Sequence, residues 1–166
     1  MLVVKSLFQG IPMKTVFIKG IMIAVGAVSL MLLQAAGQAT AIPTSHQITP
    51  EELVKLLQSS AKQQPLMIQV GSHVLYTQAH IPRSEYIGPA SSESGLQQLR
   101  KRVESLPRTK FILLYCGCCP WSHCPNVKPA HDALRSMGFS NVKVLYIADN
   151  FGANWVDEGY PTSKGE

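Results

Sequence analysis

The chain has 166 residues, which is enough for one domain with its own hydrophobic core. The formal net charge is +5, but three lysines lie in the first 19 residues, so the rest of the chain carries only about +2. The basic cluster Arg100-Lys101-Arg102 is typical of a solvated helix face. Since no aromatic residues alternate with it, nucleic-acid binding is excluded as a function class.

Residues 1–41 have the pattern of a secretory signal peptide. Lysines precede an apolar run at 21–33, and the small residues Ala39-Thr40-Ala41 follow it. We therefore expect cleavage after that last alanine, export to a bacterial periplasm, and a mature domain of residues 42–166. Met13 offers a more conventional start than the first methionine. The alternative is an uncleaved anchor in the inner membrane, although spanning takes about 20 apolar residues and this run is shorter.

A helix and a strand open the mature chain. Thr49, followed three residues later by Glu52, predicts a capping box for a helix in ITPEELVKLLQSS, which Pro65 ends. The apolar run at 66–70 (LMIQV) predicts a buried strand. The next segment is predicted to be a loop, and structural roles are expected for its histidines. It contains His73, His80 and Pro82.

The rest of the chain predicts two longer helices, two strands and a short terminal helix. Leucine and valine recur at helical spacing over 94–106, and KFILLYC (110–116) is typical of a central strand that is buried on both faces. Asn126 is a predicted cap for a helix that runs to Met137 and that Gly138 closes. The remaining strand and short helix are predicted over 141–147 and 154–161.

All four cysteines lie within nine residues, at positions 116, 118, 119 and 124. The alternation of strands and helices predicts an α/β domain with a mainly parallel sheet, in which ligands bind at the carboxyl ends of the strands. Cys116 ends the most apolar strand and precedes a helix amino terminus. Because N–H groups and the helix dipole favour a thiolate there, we expect Cys116 to be the nucleophile.

The other cysteines leave several chemistries open. Cys118 and Cys119 are adjacent, with Cα atoms about 3.8 Å apart, which is too close for a relaxed disulfide. Cys124 with either of them, or Cys116 with Cys119, is an easier pair. His123 and the thiols are also suitable donors for zinc or Cu(I). A zinc tetrahedron is difficult in so short a loop, whereas two or three thiols hold Cu(I) more easily; we expect no metal and no cofactor.

Five segments of the mature chain resemble, in order, those of a rhodanese-like domain. They are ITPEEL, the second-strand segment that closes in His80-Ile81-Pro82, the active-site strand FILLYC, the segment ALRSMGFSNVKVLY, and NWVDEGYP. The resemblance implies a three-layer α/β sandwich around a mainly parallel five-stranded sheet. It also implies sulfur transfer through a persulfide on Cys116 that the loop amides cradle.

The loop and the second strand depart from that family's pattern. Gln69-Val70-Gly71 stands where the family commonly has Asp-x-Arg. The loop is longer by about five residues, contains three additional cysteines, and has no arginine. Lys128 and His123 are the nearby cationic candidates for an anion such as thiosulfate. Trp121 is interpreted as a hydrophobic lid over the loop.

We rank three functions for the mature domain. The first is a periplasmic sulfurtransferase or sulfur carrier with Cys116 as the catalytic residue. The second is a thiol-disulfide oxidoreductase using the CGCC loop, and the third is a non-enzymatic copper- or zinc-binding module. We expect a monomer whose partners are a small sulfur donor, an acceptor thiol or a redox partner protein, with no nucleic acid and no membrane after cleavage. The expected supporting residues are Gly117, Cys118, Cys119, Trp121, His123, Cys124 and Lys128.

Overall fold

Five parallel strands form the centre of the fold in the computed structural model, which describes residues 41–59 and 64–165. Their spatial order is β1-β5-β4-β2-β3, and every neighbouring pair is parallel. The predicted five-stranded parallel sheet is therefore confirmed. The strands are β1 (Gln47–Ile48), β2 (Leu66–Gln69), β3 (Glu85–Tyr86), β4 (Ile112–Tyr115) and β5 (Val142–Leu145).

The predicted signal peptide occupies residues 1–41, and all of it except Ala41 lies outside the described residues. Within residues 41–59 and 64–165, no helix is long and apolar enough to cross a membrane.

Helices cover both faces of the sheet and give the expected three layers. Leu99 and Leu134 pack in one apolar cluster with Ile112, whereas Leu53 and Trp155 pack in another cluster on the opposite face. The helices are α1 (Pro50–Gln58), α2 (His73–Gln78), α3 (Glu93–Val103) and α4 (Val127–Ser136), with 3-10 turns at Thr44–His46 and Trp121–His123 and a π-helical turn at Gly152–Val156.

The central strand β4 is buried along its whole length, as its composition predicts. Successive side chains alternate between the faces, so Ile112 and Leu114 point toward α3 and α4, and Tyr115 points to the other face. The Tyr115 hydroxyl shares a hydrogen bond with Ser84 Oγ at 2.7 Å, and burial raises its pKa. By the same alternation, the next residue, Cys116, returns to the face that α3 and α4 cover.

The predicted helix ends agree with the structure in part. Thr49 and Glu52 form the predicted capping box of α1, but the helix ends at Gln58, well before Pro65. Asn126 does precede α4, although its side chain does not cap the helix. Gly138 closes α4 with a φ of +87°, a left-handed conformation that glycine adopts without strain.

The predicted loop after β2 is wrong, because residues 73–86 contain α2 and β3. Tyr76 anchors this short helix: its hydroxyl donates to Ser84 O at 2.6 Å, and its ring stacks on His80 with centroids 4.0 Å apart. The terminal helix also differs from its prediction, since the helical turn begins at Gly152 and ends at Val156.

Replacing Gly95 with alanine is expected to destabilise the fold. Gly95 is buried in the first turn of α3, where a Cβ atom would overlap the carbonyl group of Pro89. Overpacking of this kind costs about 1–3 kcal/mol, more than the helix propensity that alanine adds. Urea denaturation measures the free energy of unfolding. Gln98→Ala, an exposed change in the same helix, is the control, and a Gly95→Ala protein as stable as the control contradicts the packing described.

Candidate active site

Cys116 lies directly after β4, and two residues from the end of β2 fix its position. Its side chain is only 3% exposed. Gln69 Nε2 donates to Cys116 O at 3.1 Å, and Gly71 N donates to Gln69 Oε1 at 3.1 Å. A Cβ atom on Gly71 would lie 2.6 Å from Cys116 Sγ. Gly71 therefore leaves room for the Cys116 sulfur, and Gln69 holds the Cys116 carbonyl in place.

Asn126 connects the sulfur of Cys116 to the backbone of a neighbouring loop. Its side chain is buried, with 4% exposed. Nδ2 donates to Cys116 Sγ at 3.4 Å and to Cys118 Sγ at 3.8 Å, and Oδ1 accepts from Ser91 N at 2.9 Å. Both the oxygen and the nitrogen of this side-chain amide are therefore hydrogen-bonded, and the nitrogen directs its N–H groups toward two sulfur atoms.

The loop brings the four cysteine sulfurs into one cluster of free thiols. Cys118 Sγ lies 3.2 Å from Cys116 Sγ and 2.9 Å from Cys119 Sγ. The sulfurs of Cys116, Cys118 and Cys124 all lie within 4.8 Å of one another. Cys119 Sγ also contacts His123 O at 3.8 Å. The predicted cysteine site is thus a contiguous set of sulfur atoms that leads from the buried Cys116 to partly exposed positions.

The negative charge of this cluster is favoured on Cys124. The neighbouring Cys116 thiol, whose sulfur lies within 4.8 Å, stabilises the Cys124 thiolate. The backbone N–H groups of Asn126 and Val127 add to this effect against the cost of burial, so the pKa of Cys124 falls to about 6. Conversely, the contact with Cys124, together with burial, raises the pKa of Cys116. Burial and the neighbouring thiols raise the pKa of Cys119 to about 12. We expected the thiolate on Cys116; the structure favours Cys124, which lies closer to the first N–H groups of α4.

An open cleft of about 390 Å³ reaches Cys116 and Cys118. Its wall includes Gly117, whose φ of +78° requires a residue without a side chain and whose carbonyl accepts from Phe151 N at 3.0 Å. Among the described residues that line the cleft, none carries a charged side chain. The other lining residues are Gln69, Leu75, Gln78, Ala79, Tyr115, Asn150, Gly152 and Val156.

Of the three other predicted supporting residues, Trp121 lies against the sulfur cluster. It is half-buried, contacts the Tyr146 ring in a tilted arrangement with centroids 5.1 Å apart, and shares a small cavity with three of the cysteines. His123 is exposed and shares a hydrogen bond with Ser122 Oγ at 2.8 Å, and Lys128 pairs with Asp132. Neither His123 nor Lys128 lines the cleft.

Sequence reasoning did not assign Gln69, Gly71 or Asn126 to the site. Gln69 carried a signal, because it is a polar residue at the end of an apolar strand, and a buried amide needs partners. Gly71 carried no such signal, because a glycine is required there only by the close approach of Cys116 Sγ from the neighbouring strand.

The first thiol ionisation of the protein is expected near pH 6, on Cys124. The thiolate is present above that pH and protonated below it, which follows from the lowered pKa of Cys124. Ultraviolet thiolate absorbance, followed during a pH titration, measures this step. Cys124→Ser should remove it, and Cys119→Ser should leave it in place. A first ionisation near the ordinary thiol value of about 8.5 contradicts the assignment.

Comparison with known proteins supports the fold. No protein-family model and no curated protein matches the sequence. A rhodanese-like domain from Anabaena sp. is 21% identical with a TM-score of 0.52, over 72% of this chain and 79% of that domain. A single-domain sulfurtransferase from Saccharomyces cerevisiae is 16% identical with a TM-score of 0.50, over 74% and 95%.

The same fold occurs inside a larger protein. A thiosulfate sulfurtransferase from Pseudomonas aeruginosa is 22% identical with a TM-score of 0.53, over 72% of this chain and 19% of that protein. At these identities the comparisons establish the fold alone, and the five-stranded parallel sheet of this chain is consistent with it. The described part of the chain therefore has the rhodanese fold.

Proposed function

We propose that this protein is a periplasmic sulfurtransferase or sulfur carrier that holds sulfane sulfur as a persulfide on Cys116. The observation that carries the proposal is the position of Cys116 Sγ. It faces an open cleft at the carboxyl end of the central strand, within 3.4 Å of an amide donor and 3.2 Å of a second thiol. A ligand-sized space at that edge of a parallel sheet is the usual place for a site.

Loading of sulfur begins with the thiolate of Cys124. It accepts the proton of Cys116, whose sulfur then attacks the outer sulfur of a donor R–S–SH. The S–S bond of the donor breaks, R–S⁻ leaves, and Cys116 carries –S–SH. No oxidant or reductant is needed, since one S–S bond is exchanged for another. The amide of Asn126 remains directed at the Cys116 sulfur during this step.

The cleft favours a thiol-borne sulfur donor over thiosulfate. A dianion that enters a partly enclosed site loses hydration, and it requires a positive charge to offset that loss. The described lining residues offer none, and the two predicted cations, Lys128 and His123, point to other partners. The reacting group of an organic persulfide carries at most one negative charge, and it meets the side-chain amides and apolar wall of this cleft.

Delivery of the sulfur uses Cys118 and Cys119. The Cys118 thiolate attacks the outer sulfur of the Cys116 persulfide, which transfers –SH to Cys118 and returns Cys116 as a thiolate. Cys118 Sγ lies 3.2 Å from Cys116 Sγ, which makes it a neighbouring acceptor; a movement of the loop that brings it in line with the outer sulfur completes the geometry. A second transfer over 2.9 Å moves the sulfur to Cys119, from which the thiol of an acceptor takes it.

Mass spectrometry of the reduced protein after treatment with a low-molecular-weight persulfide should show one added sulfur atom on Cys116. Thiosulfate should load it at least about tenfold more slowly. The uncompensated desolvation of the dianion raises the activation free energy, and each increase of about 1.4 kcal/mol reduces the rate tenfold. Cys116→Ser should abolish loading. Ser122→Ala, an exposed change in the same loop, should retain it. An unchanged mass with all thiols still free contradicts the proposal.

Cys118→Ser should load normally on Cys116 but release its sulfur slowly. We expect transfer to an acceptor thiol to fall at least about tenfold, because the intermediate nucleophile is lost. The measurement is the decay of the loaded mass after the acceptor is added, with Ser122→Ala as the control. Decay at the wild-type rate means that Cys116 delivers sulfur directly. If the wild-type protein instead releases hydrogen sulfide and forms a Cys116–Cys118 disulfide, the thiol-disulfide function replaces the relay.

A further inference from the structure

We propose that Cys116, Cys118 and Cys124 also form a three-thiolate site for one Cu(I) ion. This inference goes beyond sulfur transfer and does not depend on it. The three sulfurs lie within 4.8 Å of one another. A metal bound at the usual metal–thiolate distance of about 2.3 Å in a trigonal plane holds its sulfurs about 4.0 Å apart. The observed 3.2 Å between Cys116 and Cys118 requires only a small opening of the triangle.

The donor set selects Cu(I). The group contains thiols alone, and no carboxylate or imidazole of the described residues joins it. Soft thiolates prefer Cu(I), whereas structural zinc sites require four ligands in a tetrahedron. Cys119 is the nearest fourth thiol: its sulfur lies 2.9 Å from Cys118 Sγ, but it is not within 4.8 Å of all three sulfurs of the group. The geometry therefore fits a low-coordinate monovalent ion.

The surroundings of the sulfurs also suit a bound Cu(I). Asn126 donates to two of the three sulfurs while Ser91 fixes its other end; such outer hydrogen bonds orient metal ligands. The second side of the cluster is apolar. A small cavity that includes Cys116 and Cys124 is walled by Trp121, Val127, Leu145 and Ile147. This wall excludes the oxygen and nitrogen donors that Cu(II) prefers, and the cleft at Cys116 and Cys118 provides an entry path.

Copper binding and sulfur loading require the same sulfur of Cys116. Bound Cu(I) therefore protects Cys116 from persulfide formation and alkylation, whereas Cys119 stays reactive. This difference separates the two proposals experimentally. Metal-free protein tests sulfur loading, and Cu(I) binding is measured without any sulfur donor, so either proposal can fail alone.

The test is an anaerobic titration of the reduced protein with Cu(I) in competition with the chromophoric chelator bicinchoninate. We expect one tightly held Cu(I) per chain. Cys118→Ser and Cys124→Ser should each weaken binding about 100-fold or more, beyond the 10- to 100-fold effects known for outer-shell partners. Ser122→Ala, an exposed change in the same loop, is the control and should bind within a few-fold of wild type. Far-ultraviolet circular dichroism establishes that each variant is folded.

X-ray absorption at the copper edge of the wild-type complex gives a second measurement that needs no variant. Three sulfur neighbours at about 2.3 Å support the site. Two sulfur neighbours, a nitrogen neighbour, or binding no stronger than that of the chelator overturns it. Loss of binding in Cys119→Ser alone, or retention of zinc in preference to Cu(I), also overturns it.

Discussion

The buried side-chain amide of Asn126 is the interaction on which the site depends. It joins three segments of the chain: the loop before α3, the end of β4 and the start of α4. Without it, the N–H of Ser91 loses its side-chain acceptor, and a hydrogen bond of this kind contributes about 0.5–1.5 kcal/mol. The sulfur of Cys116 would also lose its amide donor. Asn126 therefore contributes both to the contact between the α3 and α4 segments and to the chemistry of the Cys116 sulfur.

Much of the architecture could be predicted from the sequence because its strongest signals are local. Strand β4 is apolar without interruption, which is typical of a strand buried on both faces. Thr49 and Glu52 have the spacing of a capping box. Helix α2 carried no such signal. It has only six residues, with Val74 64% exposed, and its stability comes from tertiary contacts of Tyr76, which no local pattern encodes.

The place of the site in the fold could be predicted from the sequence, but the charge distribution of its cysteines could not. Cys116 follows the most apolar strand, so the fold alone nominates it. The ionisation preference of Cys124 depends on the path of the loop, which brings Cys124 back to Cys116 and to the first N–H groups of α4. Spacing in sequence does not specify that return. The role of Gly71 has the same origin, because it reflects an approach between neighbouring strands.

The cysteine-bearing segment 117–125 is held at both ends by buried residues, Cys116 before it and Asn126 after it. Midway, the N–H of Trp121 donates to Ala148 O at 3.0 Å. No residue of 117–125 belongs to a strand of the sheet. Apart from Gly117, whose positive φ and contact with Phe151 restrict it, substitutions within the segment therefore alter the surroundings of the sulfurs without changing the sheet. The reactivity of this protein is therefore adjustable in a segment of nine residues, separately from the strands and helices that make the domain stable.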